Sequence, residues 1–471
     1  MSRLRHPLSA LVAAAALSVP WVAIWATGGE LGDVGTVAVS GVAVLGASFL
    51  LAWAAETAEK DVPRAFAIAV LAVLAVAPEY AVDALYAWSA GSGGATAEAC
   101  AGLAPEFIER VGELPAEQIT TAQERLAASC HDANLAVANM TGANRILIGL
   151  GWAGIAVLTV WQARRTADPA VEYREGWLAT HVRLDRDIAT EITFLFAATM
   201  WAFLVPLGGG IDILDMVVLV GLYVVYIGII IRGDVEAGEQ HVGVPAYLQQ
   251  FPRPRRVATV LALFAYSGFL IFIAVEPFAH GLEDIGKAIG VPSFFMIQWI
   301  APLASESPEL IVVSVLVYKA RSTAGFNALI SSKLNQWTLL IGTLVVVYSL
   351  ALGQYGTLPF DRIQSGEIWI TAAQSFFALA LLVDFRISVR EALALFVLFG
   401  SQVLLEFVFL KIWEPFPEPK FALLLAYTTI YLVLGTGVLL ARRKKLRELF
   451  QMTAATVRDA AGREPTPDHA D

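Results

Sequence analysis

The sequence predicts an all-α integral membrane protein made of two inverted halves, with one extra transmembrane helix at the N-terminal end and one at the C-terminal end. Three observations predict it. Of the 471 residues, 57% are hydrophobic and only 16% charged, and the mean hydropathy is +0.65, far from an ordinary soluble domain. About twelve apolar runs are long enough to cross a bilayer, which takes about 20 residues of helix. The dipeptide Pro-Glu recurs inside two of those runs, the third and the eighth, as Pro78-Glu79 and Pro308-Glu309.

The runs lie near residues 8–28, 34–55, 64–88, 134–161, 187–206, 211–231, 257–280, 288–318, 324–350, 367–384, 388–411 and 421–441. With the N-terminus (Arg3, Arg5) inside, every second loop is cytoplasmic, and those loops carry the basic residues: Lys60 and Arg64, Arg164 and Arg165, Arg253 to Arg256, Lys319 and Arg321, Arg386 and Arg390, and Arg442 to Lys445. That is the bias that orients membrane proteins, and it puts both termini in the cytoplasm of a multi-pass plasma-membrane protein. The first run, with its basic start and apolar middle, also reads as a signal peptide or signal anchor; its cleavage would leave the later orientation unchanged. The tail from 442 is basic, then polar, and reads as a cytoplasmic helix that frays.

The division that follows is an N-terminal span (1–33), a first half (34–231) with an external insert (89–133), a cytoplasmic linker (232–256), a second half (257–411), a final span (412–441) and a tail (442–471). The insert holds both cysteines, Cys100 and Cys130, in a compartment where they can pair as a disulfide; two free thiols are the alternative.

Several function classes are excluded. No Cys-x-x-Cys or Cys/His cluster exists to hold zinc, and no Walker loop, nucleophile elbow or dinucleotide fingerprint appears. The chain is therefore expected to be neither an enzyme nor a primary pump and to need no cofactor. Much of the net charge of −10 sits in the insert and the tail after Phe450, so it carries no functional weight. The expected partners are membrane lipid and inorganic cations, not nucleic acid.

The repeat extends beyond the dipeptide. "AVAPEYAVDALYAW" (75–88) and "SESPELIVVSVLVY" (305–318) are each followed by a span holding Asn, small residues and then a base: "ANMTGANRILIGLGW" from Ala138 and "FNALISSKLNQWTLLIGT" from Phe326. Aligning Asn139 with Asn327 sets Arg145 opposite Lys333. The third and eighth spans cross in opposite directions, so the halves are inverted, and such repeats put a substrate site near the midplane at their interface.

Proline inside a span frees backbone carbonyls. Together with Glu79 and Glu309 from opposite halves, those carbonyls make an all-oxygen environment suited to hard cations such as Ca²⁺, Na⁺ or H⁺. Asp83 follows Glu79 by one turn and Glu306 precedes Glu309 by three residues, so each pair shares a helix face. The bases Arg145 and Lys333 lie in the adjacent spans and modulate the site or neutralise its acids. Ser305, Asn139, Asn144, Asn327, Ser331, Ser332 and Asn335 offer side-chain oxygens, to an ion or to helix packing. Buried carboxylates are costly in a membrane unless paired, hydrated or protonated.

These motifs resemble the calcium/cation antiporter superfamily, the sodium/calcium exchangers and their relatives. The resemblance spans about 34–411 and is carried by residues 74–88, 138–149, 304–320 and 326–342. It implies two inverted five-helix repeats, with Glu79 and Glu309 as the central ion-binding glutamates. It also implies Ser305 as a hydroxyl ligand, Asn139 and Asn327 at the Gly-Asn positions, and Ser331 and Asn335 at polar positions of the second half. Two departures mark a divergent member. Leu74-Ala75-Val76 stands where the family has Gly-Thr-Ser, and Arg145 and Lys333 stand where it has apolar residues. These favour a secondary antiporter of sodium or calcium against protons or sodium, since an intramembrane glutamate can trade a proton for a metal cation.

Two other readings remain open. One is a transporter of an anionic solute bound by Arg145 and Lys333. The other is a non-transporting scaffold whose site is locked by Glu79–Arg145 and Glu309–Lys333 salt bridges.

Overall fold

A computed structural model describes residues 7–58, 60–61, 77–232, 243–412 and 417–462. Residues 64–76 of the third span, including Leu74-Ala75-Val76, lie outside the described residues, as do Arg3, Arg5, residues 233–242 of the linker and the end of the tail. The spans are α1 (Pro7–Thr27), α2 (Asp33–Ala58), α3 (Ala77–Ser92), then, after two short insert helices α4 (Ala97–Ala101) and α5 (Pro105–Gly112), α6 (Ala122–Gln162), α7 (Ala189–Ala202), α8 (Ile213–Arg232) and α9 (Arg253–Ile289). Next come α10 (Ser293–Ser307 and Glu309–Tyr318), α11 (Ser322–Leu352), α12 (Arg362–Leu382), α13 (Val389–Ile412), α14 (Pro417–Ala441) and the amphipathic tail helix α15 (Arg443–Gly462).

Among the described residues ten helices are long and apolar enough to cross a membrane, eleven with the bent α10 counted as one span. The two pieces of α10 meet at 48°, at Pro308. This is what a proline inside a helix does, because it lacks an N–H and clashes with the preceding turn. Two boundaries differ from the sequence expectation. The helix α6 starts at Ala122, inside the expected insert, because Thr121 and Glu124 form a reciprocal capping box that starts the helix well before the apolar run. Helix α9 runs on to Ile289, past the end of its apolar stretch.

The helices are not equally enclosed. In α12 and α6, 83% and 78% of the most apolar stretch is buried in protein, against 17% in α1. The centre of the molecule is therefore built on α6 and α12, with α1 at the lipid-facing rim. Close approach at that centre depends on small residues, as is usual where lipid gives no hydrophobic drive for helix association. A Cβ on Gly142 would fall 1.8 Å from the carbonyl oxygen of Gln298 in α10.

Short strands supplement the all-α plan. Val171–Glu172, His181–Arg183 and Arg386–Ser388 form an antiparallel sheet with Val182 opposite Ile387, and Gly210–Ile211 pairs antiparallel with Leu358–Pro359. Each pairing joins loops that the alternation of spans puts on the same face. The same holds for Asp61, which is bound by Arg256 at 2.5 Å. The insert is an ordered lobe: Cys100 and Cys130 are joined by a disulfide, and Glu113 accepts hydrogen bonds from the backbone N–H (2.8 Å) and hydroxyl (3.1 Å) of Ser293 at the start of α10.

Candidate functional site

The Pro-Glu helices α3 and α10 meet beside α6 and α11, and four carboxylates gather there. Glu79 and Asp83 come from α3, one turn apart, and Glu306 and Glu309 from α10. Glu79, Asp83 and Glu306 are buried and Glu309 is half-buried. The Asn139 amide of α6 bridges the first pair, donating to Glu79 at 3.3 Å and Asp83 at 2.8 Å. The Ser305 hydroxyl of α10 donates to the other oxygen of Glu79, so groups from both expected halves hold one carboxylate. In the second pair, Ser332 of α11 donates to Glu309 at 2.9 Å and Gln336 donates to Glu306 at 2.6 Å.

Every one of these donors is neutral. Among the described residues none of the four acids makes an ion pair, and buried oxygens of Asp83, Asn139, Asn327 and Gln336 have no hydrogen-bond donor. A buried acceptor without a donor is costly and calls for a cation, proton or water. No group of three or more His, Cys, Asp or Glu side chains is arranged to hold a metal among the described residues. A cation bound by Glu79 and Glu309 would therefore complete its shell with amide, hydroxyl and backbone oxygens, which hard cations accept.

Among the described residues neither adjacent base pairs with the four acids. Arg145 pairs with Glu367 of α12, donates to Gln402 of α13 at 3.1 Å and lies over the Trp299 ring. Six residues separate it from Asn139, roughly 240° around the helix, so the helix face that serves Glu79 points away from it. Lys420 of α14 completes that second cluster, 3.9 Å from Glu367 and 3.3 Å from Glu406. Lys333 donates to the side-chain oxygen (2.7 Å) and backbone carbonyl (3.2 Å) of Asn144. The Glu79–Arg145 and Glu309–Lys333 bridges required by a locked site are absent.

One expected residue is displaced by its neighbour. It is Ser332, not Ser331, that reaches Glu309, while Tyr226 of α8 donates to Glu191 at 3.1 Å. Successive helical residues point about 100° apart, so only one of the two serines can face α10. Asn335 is buried in α11, and Asn327 lies on the same helix without reaching the four acids through a hydrogen bond. Gln336 was not among the expected site residues. Its signal was its spacing: Ser332 and Gln336 share one face four residues apart, matching Glu306 and Glu309 on the facing helix. The cluster of Glu367, Glu406 and Lys420 joins residues far apart in sequence and left no comparable signal.

Both helices that follow the Pro-Glu helices are interrupted by a π turn, Leu147–Trp152 in α6 and Gln336–Leu340 in α11. On the alignment of Asn139 with Asn327 these turns nearly coincide, and such bulges gather at functional sites.

The family model described as "Sodium/calcium exchanger protein" matches residues 124–232 and 259–408. A crystal structure of the H⁺/Ca²⁺ exchanger CAX shares 39% identity, with 96% of this chain and 98% of that one covered and a TM-score of 0.79. The structure of native YfkE, at 13% identity, covers 84% of this chain and 99% of its own with a TM-score of 0.51, a likeness of fold alone. No curated protein matches. The chain belongs to the sodium/calcium exchanger family, whose members are membrane transporters and not enzymes.

Proposed function

We propose that this protein is a secondary antiporter that exchanges calcium for protons, with its ion site where the two Pro-Glu helices meet. The observation that carries this reading is the group of four carboxylates, buried Glu79, Asp83 and Glu306 and half-buried Glu309, held by neutral donors with no ion pair to any of them among the described residues. Carboxylates in hydrocarbon must be neutralised. Protons and a divalent cation can each do so, which makes them competitors for one site. Calcium and protons are chosen over sodium because the 39%-identical exchanger is an H⁺/Ca²⁺ exchanger.

The coinciding π turns and the opposite sense of α3 and α10 support two inverted halves, 34–231 and 257–411. The basic loops support cytoplasmic termini at the plasma membrane. Alternating access is then a rocking of the remaining helices around the fixed site. The anion-carrier reading loses its binding groups, since Arg145 is neutralised by Glu367 and Lys333 is engaged by Asn144.

The test is uptake of labelled Ca²⁺ into proteoliposomes under an imposed pH gradient. Glu79→Gln and Glu309→Gln are each expected to lower it by about 100-fold or more in protein that still folds, as expected for loss of an obligatory ligand. Undiminished uptake in both variants would sink the site. No uptake by the wild type under any gradient would sink the activity.

A further inference from the structure

Lys333 is fully buried, and among the described residues it makes no ion pair. It stands on α11 between Ser332 and Gln336, the residues that hold Glu309 and Glu306. Its ammonium is held as an ion would be: an amide oxygen at 2.7 Å, a backbone carbonyl at 3.2 Å and the Trp337 ring face at 4.4 Å. Oxygen donors and an aromatic face together suit a monovalent cation. Both oxygens belong to Asn144 of α6, the helix that also supplies Asn139, and they lie just before the π turn beginning at Leu147, where the regular helical hydrogen-bond ladder shifts.

The contrast with the aligned base is informative. Arg145 is paired with Glu367. Lys333 has no acid of its own, and it stands on the helix whose Ser332 and Gln336 hold Glu309 and Glu306. We propose that the Lys333 ammonium is the fixed occupant of a monovalent-cation subsite, so that this exchanger needs neither sodium nor potassium for its cycle. The inference rests on the antiporter reading and adds to it that one positive charge of the loaded site never moves.

Removing the ammonium should leave a vacancy that a free cation can fill. The experiment compares wild type, Lys333→Gln and Lys333→Arg, full length, in choline, sodium and potassium chloride. Two quantities are read: pH-driven Ca²⁺ uptake in liposomes, and thermal unfolding in detergent, which needs no transport. Wild type is expected to be indifferent to the salt in both. Lys333→Gln should be at least about 5-fold slower in choline, recover in sodium or potassium, and unfold several degrees higher in the effective salt than in choline, as a ligand that binds only the folded state requires. Lys333→Arg, which keeps a fixed positive charge, should show no salt-specific recovery and no salt-specific stabilisation.

Either of two results would overturn the proposal: a Gln variant as fast as wild type in choline, or one that is slow in every salt with no salt-specific stabilisation, which would make the lysine a packing element. A wild type that itself depends on sodium or potassium would also overturn it. A wild type that moves no calcium would refute the antiporter reading alone, since the unfolding comparison still decides whether the vacancy binds a cation.

Discussion

Two buried charge clusters lie side by side in this membrane protein and are built on opposite principles. In one, Arg145 and Lys420 face Glu367 and Glu406, with Gln402 donating to Glu406 at 2.8 Å. Two bases meet two acids, and the cluster is balanced in charge. In the other, Glu79, Asp83, Glu306 and Glu309 meet amides and hydroxyls, with one lysine held nearby by Asn144. The first carries its own counter-charges. The second is short of positive charge, and burial makes that shortage costly unless mobile cations or protons fill it. On the proposed reading, counting charges in a membrane span does not single out an ion site; whether the acids' partners are charged does.

That comparison can be broken at its balanced cluster first. Glu367→Ala strands the Arg145 guanidinium and should destabilise the protein by about 3–5 kcal/mol, the usual cost of leaving one partner of a buried pair alone. The double change Glu367→Leu with Arg145→Leu should recover most of it, as measured by thermal unfolding. Glu306→Gln in the other cluster should not lower stability, since it removes a buried charge that has no ion-pair partner. A stability loss at Glu306 comparable with that at Glu367 would erase the distinction.

A smaller effect sharpens the role of the neutral donors. Asn139→Ala leaves Glu79 and Asp83 without their shared amide and should reduce pH-driven Ca²⁺ uptake by about 10-fold, in line with one hydrogen bond to a charged group at about 1.5 kcal/mol. Unchanged uptake would show that the amide serves packing alone.

The smallest effect lies outside the membrane. The Arg256 guanidinium beside Asp61 holds that carboxyl below the usual aspartate range. A lowered folded-state pKa adds stability above the unfolded value and loses it as pH falls through the folded one. Asp61→Asn should therefore cost about 1 kcal/mol near neutrality, the scale of one ion pair at the membrane surface, and nothing once the pH has fallen below the lowered folded-state value. Equal destabilisation at both pH values would mean that the lost contact is steric.

Much of this was legible in the chain. The apolar runs, the basic loops and the paired Pro-Glu motifs are local or periodic features, and hydrocarbon tolerates so few backbone arrangements that they translate almost directly into helices. Helix periodicity also brought Glu79 together with Asp83, and Glu306 with Glu309. It could not choose between Ser331 and Ser332, which depends on the rotation of α11 against α10.

By itself the sequence determined that this is a multi-pass helical membrane protein of the sodium/calcium exchanger type with acids buried in corresponding spans. Only the tertiary structure decided which charges answer one another. Arg145 follows Asn144 directly and lies six residues from Asn139, yet its partner Glu367 is more than two hundred residues away on α12, and Lys333 finds Asn144 instead of Glu309. A side chain's direction around its helix follows from residue number, but which neighbouring helix lies in that direction follows from packing, and no local pattern encodes it.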